Sequence, residues 1–129
     1  MGTAVVLDLT KDNFVSSIDG HPLAVVDFWA PWCGPCRSFA PTFAAAAERH
    51  PDIRFAKVNT EEQHELAAHF HIRSIPTLMI FRENVIVFAQ AGALSAGALD
   101  EVLAGAKALD MEAVKREATA AQDPAKAAT

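Results

Sequence analysis

Three short runs rich in β-branched and aromatic residues, "AVVLDL" (4–9), "PLAVVDFWA" (22–30) and "IRFAKV" (53–58), are each followed by a stretch of helical character. A strand that feeds a helix and then another strand makes a crossover, and crossovers join parallel strands. The alternation therefore dictates an α/β fold, with helices on both faces of a central sheet. Two later runs, "TLMIF" (77–81) and "VIVFAQA" (85–91), are separated only by Arg82-Glu83-Asn84. That link is too short for a crossover, so these strands form an antiparallel hairpin at one edge. The predicted order is β-α-β-α-β-α-β-β-α.

The helices show their own signals. "KDNFVSSI" (11–18) reads as a short helix with Thr10 as N-cap. "CGPCRSFAPTFAAAAERH" (33–50) reads as a long, Ala-rich helix that Pro51 stops and Pro41 should kink. Thr60 to Gln63 fits a capping box that opens a helix to about Phe70. Ser95 caps the last helix, where Leu99, Val102, Leu103, Ala106 and Leu109 share one stripe, so the helix is expected to continue past Leu109. From about Thr119 the small, polar, proline-broken sequence reads as a frayed tail. The expected organisation is one domain over 1–109 and a C-terminal helical extension and tail over 110–129.

Composition narrows the partners. With 129 residues and 51% apolar content the chain can bury a real core. Its net charge of -5 offers no general phosphate-binding surface, so nucleic acid is not an expected partner. No apolar run reaches the roughly 20 residues that span a bilayer, so no membrane partner is expected. The start, "MGTAVVLDLT", lacks the basic region, apolar core and cleavage site of a secretory signal, and the expected location is the cytoplasm.

The chain holds two cysteines, Cys33 and Cys36. In a reducing compartment such a close pair points to catalysis, redox sensing or metal binding. Cys33 follows a strand and starts a helix, where free backbone N–H groups and the helix dipole favour a thiolate. Pro35 sits in the first turn, where its missing N–H is no loss. Cys36, three residues on, is a helical neighbour of Cys33 at a separation a disulfide can span. Two other readings stay open on the residues alone: inert core thiols, or a zinc site joining both cysteines to His64 and His69. The long gap between Cys36 and His64 counts against zinc.

"WCGPC" (32–36), preceded by "VDFWA" (26–30), followed by "IPT" (75–77) and "GA" (92–93), resembles the thioredoxin family. The likeness covers roughly residues 4–108. It implies a thioredoxin fold, with a central mixed five-stranded sheet and helices on both faces. It also implies protein-disulfide reduction, with Cys33 as nucleophile and Cys36 as resolving thiol. No cofactor or metal would be bound. A flavoprotein thioredoxin reductase would supply electrons from NADPH, disulfide-containing proteins would be the substrates, and the carrier would be a monomer.

Supporting residues follow in the same way. By strand alternation Asp27 shares a face with Leu23, Val25 and Trp29. A carboxylate buried there should be neutral with a raised pKa, or paired. Lys57 alternates with Ile53 and Phe55 and needs a partner or a route to water. The resemblance places Asp27 beneath the dithiol as proton acceptor from Cys36, and Lys57 beside Asp27. It makes Pro76 a cis-proline against the dithiol and leaves the Ile75 backbone free to pair with a substrate segment. Trp32, Gly34, Pro35, Ala91 and Gly92 complete its contact surface, and Trp29 packs beside the site. The hairpin departs from the family's common Asn-Gly turn: Asn84 is followed by Val85, so a longer or rearranged turn is expected. Other readings remain: a subunit of this fold that only binds a partner, or an oxidase or isomerase. The Gly34-Pro35 pair favours a reductant by resemblance.

Overall fold

The computed structural model describes residues 6–121. Its elements are β1 (Val6–Asp8), α1 (Phe14–Ile18), β2 (Leu23–Trp29), α2 (Gly34–Arg49), β3 (Arg54–Asn59), α3 (His64–His69), β4 (Thr77–Arg82), β5 (Val85–Ala91), α4 (Ala96–Lys107) and α5 (Met111–Ala121). The five strands form one sheet in the order β1-β3-β2-β4-β5. β1 and β2 run parallel to β3, while β4 runs antiparallel to both β2 and β5. Front alternation and terminal hairpin therefore produce the mixed sheet they predict.

Strand alternation splits the core into two layers. Leu23, Val25, Phe55, Leu78 and Ile80 face α2 and α4, meeting Phe39, Phe43, Leu99 and Leu103. Val26, Phe28, Ala56, Val58, Met79 and Phe81 face the other way, toward Phe14 and Ile18 of α1 and Leu66 of α3. β2 is buried along nearly its whole length, as a central strand covered on both faces must be.

Several helix boundaries differ from expectation, each because a polar group finds another partner. Thr10 does not cap α1. Its hydroxyl accepts the Asp12 N–H (3.2 Å) while its own N–H donates to Asn13 Oδ1 (2.7 Å), so a turn precedes a helix that begins only at Phe14. The Thr60–Gln63 capping box does not form either. Thr60 Oγ1 donates to the Trp29 carbonyl (3.0 Å), and Gln63 Oε1 accepts the Lys11 N–H (3.1 Å), so α3 starts at His64. Ser95 does cap α4, accepting the Ala98 N–H at 3.2 Å. α2 spans Gly34–Arg49 with Pro41 inside it.

The last helix does not run past Leu109. Arg82 Nη1 donates to the carbonyls of Ala106 (2.7 Å), Lys107 (2.9 Å) and Leu109 (3.4 Å), closing α4 from the sheet side. Asp110 Oδ1 then accepts the Glu112 (3.1 Å) and Ala113 (3.4 Å) N–H groups and opens a separate α5. α5 packs against β5, with Met111 buried. It continues through Thr119 to Ala121, where a frayed tail was expected; the rest of that tail, 122–129, lies outside the described residues.

The hairpin turn is tight rather than longer. Glu83 (φ 52°) and Asn84 (φ 68°) both take the left-handed conformation of a type I′ turn, and Val85 is already in β5. The two turn positions are thus Glu-Asn, one residue earlier than an alignment on Asn84-Val85 suggests. Asn84 Nδ2 donates to Asp19 Oδ1 (2.7 Å), which helps hold the strained pair.

Candidate active site

Three chain segments converge where β2 hands over to α2. β2 ends at Trp29, Ala30 is fully buried, and Cys33 is the N-cap of α2 with extended backbone (φ -86°, ψ 112°). Cys33 is bonded to Cys36 in a disulfide, their Cα atoms 5.2 Å apart. The Cys36 N–H donates to Cys33 Sγ (3.2 Å), so the sulfur takes the role a Ser or Asp oxygen plays at other helix starts. An N–H aimed at Sγ and the positive end of a 16-residue helix both favour negative charge on that sulfur once the bond is reduced. Cys33 is 5% and Cys36 2% exposed, so attack is confined to one narrow face.

The second segment is the α3–β4 connection. The Ile75–Pro76 peptide bond is cis, and Ile75 packs on Ala30, Cys33 and Cys36. The Ile75 carbonyl oxygen lies 3.8 Å from Cys33 Sγ. The Thr77 hydroxyl donates to the Ser74 carbonyl and braces the loop. The third segment is the end of β5. Ala91 pairs with Thr77, and the Gly92 N–H donates to the Pro76 carbonyl at 2.8 Å. Gly92 has φ 101°, a conformation that suits glycine, and open space where a side chain would stand. Ile75, Pro76, Ala91 and Gly92 are thus brought together on one side of the disulfide. Trp32 stands beside Cys33 at 65% exposure, next to exposed Pro35 and half-buried Gly34. Arg37 Nη1 donates to the Pro31 carbonyl (2.8 Å) and ties the first turn of α2 to the loop before it.

On β2, two residues before Trp29, stands the carboxyl of Asp27. It is 4% exposed, and its Oδ1 has no hydrogen-bond partner among the described residues. Burial drives its pKa up to about 7, against a weaker downward pull from the Lys57 charge. Asp27 and Lys57 are register partners on β2 and β3. Lys57 does not close an ion pair with Asp27: its Nζ stands 3.8 Å from Asp8 Oδ1 and lies over the Trp29 ring, 5.1 Å from the centroid. It therefore has both a partner and a route to water. Trp29 packs on the cysteine cluster, and its buried Nε1 lacks a partner among the described residues. Sequence reading identified Trp29 as packing but not this second orphaned polar atom; nothing local in "DFWA" signals it. His64 and His69 lie on α3, and among the described residues no three or more His, Cys, Asp or Glu groups gather to hold a metal ion.

Comparison with known proteins points the same way. The thioredoxin family model matches residues 5–105. The chain is 52% identical over 110 residues to a protein of Streptomyces coelicolor described as putative thioredoxin 2, covering 85% of this chain and 82% of that one. It is 42% identical over 100 residues to the thioredoxin of Porphyra purpurea, covering 76% and 94%. The crystal structure of thioredoxin f from spinach chloroplast superposes with a TM-score of 0.76 at 32% identity, over 82% of this chain and 89% of that one.

Proposed function

The chain belongs to the thioredoxin family, whose chemistry is dithiol–disulfide exchange with disulfide-containing proteins, and we propose that Cys33 is its attacking thiolate and Cys36 its resolving thiol. The Cys33 thiolate attacks one sulfur of a substrate disulfide. A Cys33–substrate disulfide forms, and the other substrate sulfur leaves as thiolate. Cys36 then loses its proton, attacks Cys33 Sγ and expels the second substrate thiolate. Two electrons pass to the substrate, and the Cys33–Cys36 disulfide remains.

Asp27 takes the proton from Cys36 in the second step. A carboxyl whose pKa lies near 7 can hold or release a proton at neutral pH, which an ordinary exposed carboxylate cannot. Lys57 sets that balance as the nearby positive charge that opposes desolvation. Trp32, Gly34, Pro35, Ile75, Pro76, Ala91 and Gly92 form the substrate-contact surface, where Ile75 backbone groups pair with an extended segment. Electrons return to the dithiol from NADPH through a flavoprotein thioredoxin reductase. The protein acts as a monomeric electron carrier in the cytoplasm, with no cofactor of its own. Residues 1–109 form the reductase domain and 110–129 an extension; the separate helix start at Asp110 supports that division.

The observation that carries this reading is the bonded Cys33–Cys36 pair at a helix start, with the Cys36 N–H on Cys33 Sγ. Equilibrating the couple in a dithiol redox buffer tests it. A single two-electron transition more reducing than glutathione is expected. A markedly more oxidising couple would indicate an oxidase or isomerase instead.

A further inference from the structure

Beside the cis-proline loop lies a groove of about 210 Å³, between the α3–β4 connection and the outer strand β5. Ser74, Thr77 and Ala91 belong to its lining and flank Ile75, Pro76 and Gly92. The groove therefore opens from the surface against which the substrate disulfide is held. Phe70 and Met79 give it an apolar wall. Arg73 stands at its rim, exposed, and its lining holds no Asp or Glu. No carboxylate among the described residues forms an ion pair with Arg73. Glu65 of α3, the helix that leads into this connection, pairs with Lys11 (3.3 Å), and Asp8, Asp12, Glu61 and Glu62 belong to β1 and to the connections after β1 and β3. Those strands lie across β2 from β4 and β5. A chain of net charge -5 thus keeps, among the described residues, a guanidinium without an ion-pair partner in a groove whose lining holds no acid.

We infer that this groove receives an acidic side chain of the substrate segment flanking the attacked cysteine, with Arg73 as its counter-charge, so that disulfides flanked by Asp or Glu are the preferred substrate class. The inference rests on the reductase reading of Cys33 and Cys36. Arg73 precedes Ile75 by two residues, and an extended segment advances about 3.3 Å per residue. A substrate residue two or three places from the attacked cysteine therefore reaches the groove while its cysteine sits at Cys33. Charge complementarity of this kind acts on partner choice and encounter rate more than on tightness.

Three disulfide-bridged peptides, identical except for Glu, Gln or Lys two residues from each cysteine, test the inference against the reduced full chain in single-turnover mixing. The Glu peptide should outpace the Lys peptide roughly fivefold at low ionic strength, the scale of an exposed ion pair. The ratio should shrink as salt rises. Arg73→Lys should retain the ratio, Arg73→Gln should abolish it and Arg73→Glu should reverse it. Lys11→Gln, in the connection after β1 and outside the groove lining, should leave it in place. Equal rates for the three peptides, or a preference that survives Arg73→Gln, would overturn the acidic subsite while the Gln peptide still reports reductase activity. Failure to reduce any of the three would overturn the reductase reading together with it.

Discussion

The two ends of the sheet differ in how far their polar groups are paired. At the end where β2 meets α2, Asp27 Oδ1 and Trp29 Nε1 are buried without partners among the described residues. Where β4 meets β5 and α4 meets α5, most charged groups are answered, although Arg54 Nε, at the same end of β3, is also buried without a partner among the described residues. Arg82 donates to three carbonyls, Asn84 to Asp19, and Lys107 and Lys115 pair with Asp52 and Glu83. An unpaired buried group costs free energy, and a fold keeps one where function requires it. If the orphaned Asp27 serves the chemistry and the Arg82 contacts serve stability, substitutions at the two ends should separate activity from stability.

The largest expected effect lies at the thiols. Cys33→Ser should lower peptide-disulfide reduction to the uncatalysed rate, and Cys36→Ser should accumulate a protein–substrate disulfide that mass spectrometry detects. Trapping through Cys36 in the Cys33→Ser variant would reverse the assignment of nucleophile and resolver.

Next is Asp27→Asn, expected to raise stability and lower activity together. The Asp27 pKa is raised from 3.8 to about 7 in the folded chain. Between those values the folded state holds a proton that the unfolded chain has released, so stability falls as pH rises through about 7. The full penalty, present above that pH, is on the order of 4 kcal/mol. Urea melts should show the Asn variant gaining most of that at pH 8 and little near pH 4. Resolution of the mixed disulfide should slow about a hundredfold. A stability gain with an unchanged resolution rate would leave Asp27 as a purely structural acid.

Arg82→Met tests the other end. It removes a charged donor from three carbonyls and should cost about 1.5–3 kcal/mol. Thr77 and Arg82 are opposite ends of one strand, roughly 16 Å apart at the usual rise, so reduction kinetics should not change. A slower reduction rate at full folding would show that the two ends are coupled.

The same contrast explains what was legible in the sequence. The alternation of strands and helices, the burial of Asp27 and the pairing of Cys33 with Cys36 depend on short spacings, and those survive folding. The cis-proline and the contact surface around Gly92 came by family resemblance, because no local rule ties residue 76 to residue 33. At α1 the competing partners are local, Asp12 and Asn13, but the boundaries of α3 and α4 share one cause. The Thr60 hydroxyl meets the Trp29 carbonyl, 31 residues away in sequence, and Arg82 reaches carbonyls at the end of α4 and just beyond it, 24 to 27 residues on. Such partners outcompete a local cap, and the sequence does not show that they will be near. The hairpin differed for a local reason, since Glu83 and Asn84 both accept positive φ and Val85 need not.

The smallest effect expected concerns α5, whose sequence reads first as an idle extension and second as a docking helix. Its first residue, Met111, is buried where α5 meets β5. If the helix serves the well-paired end of the molecule, Met111→Ala should lose part of the burial free energy of one thioether chain. At the margin of the core that is about 1–2 kcal/mol, below the cost of a central truncation. Chemical denaturation should register that loss while peptide reduction stays at the wild-type rate. Wild-type stability would mean that α5 rests on the sheet without supporting it. A fall in reduction rate would mean that β5 carries the disturbance from its packed flank to Ala91 and Gly92, at the rim of the dithiol.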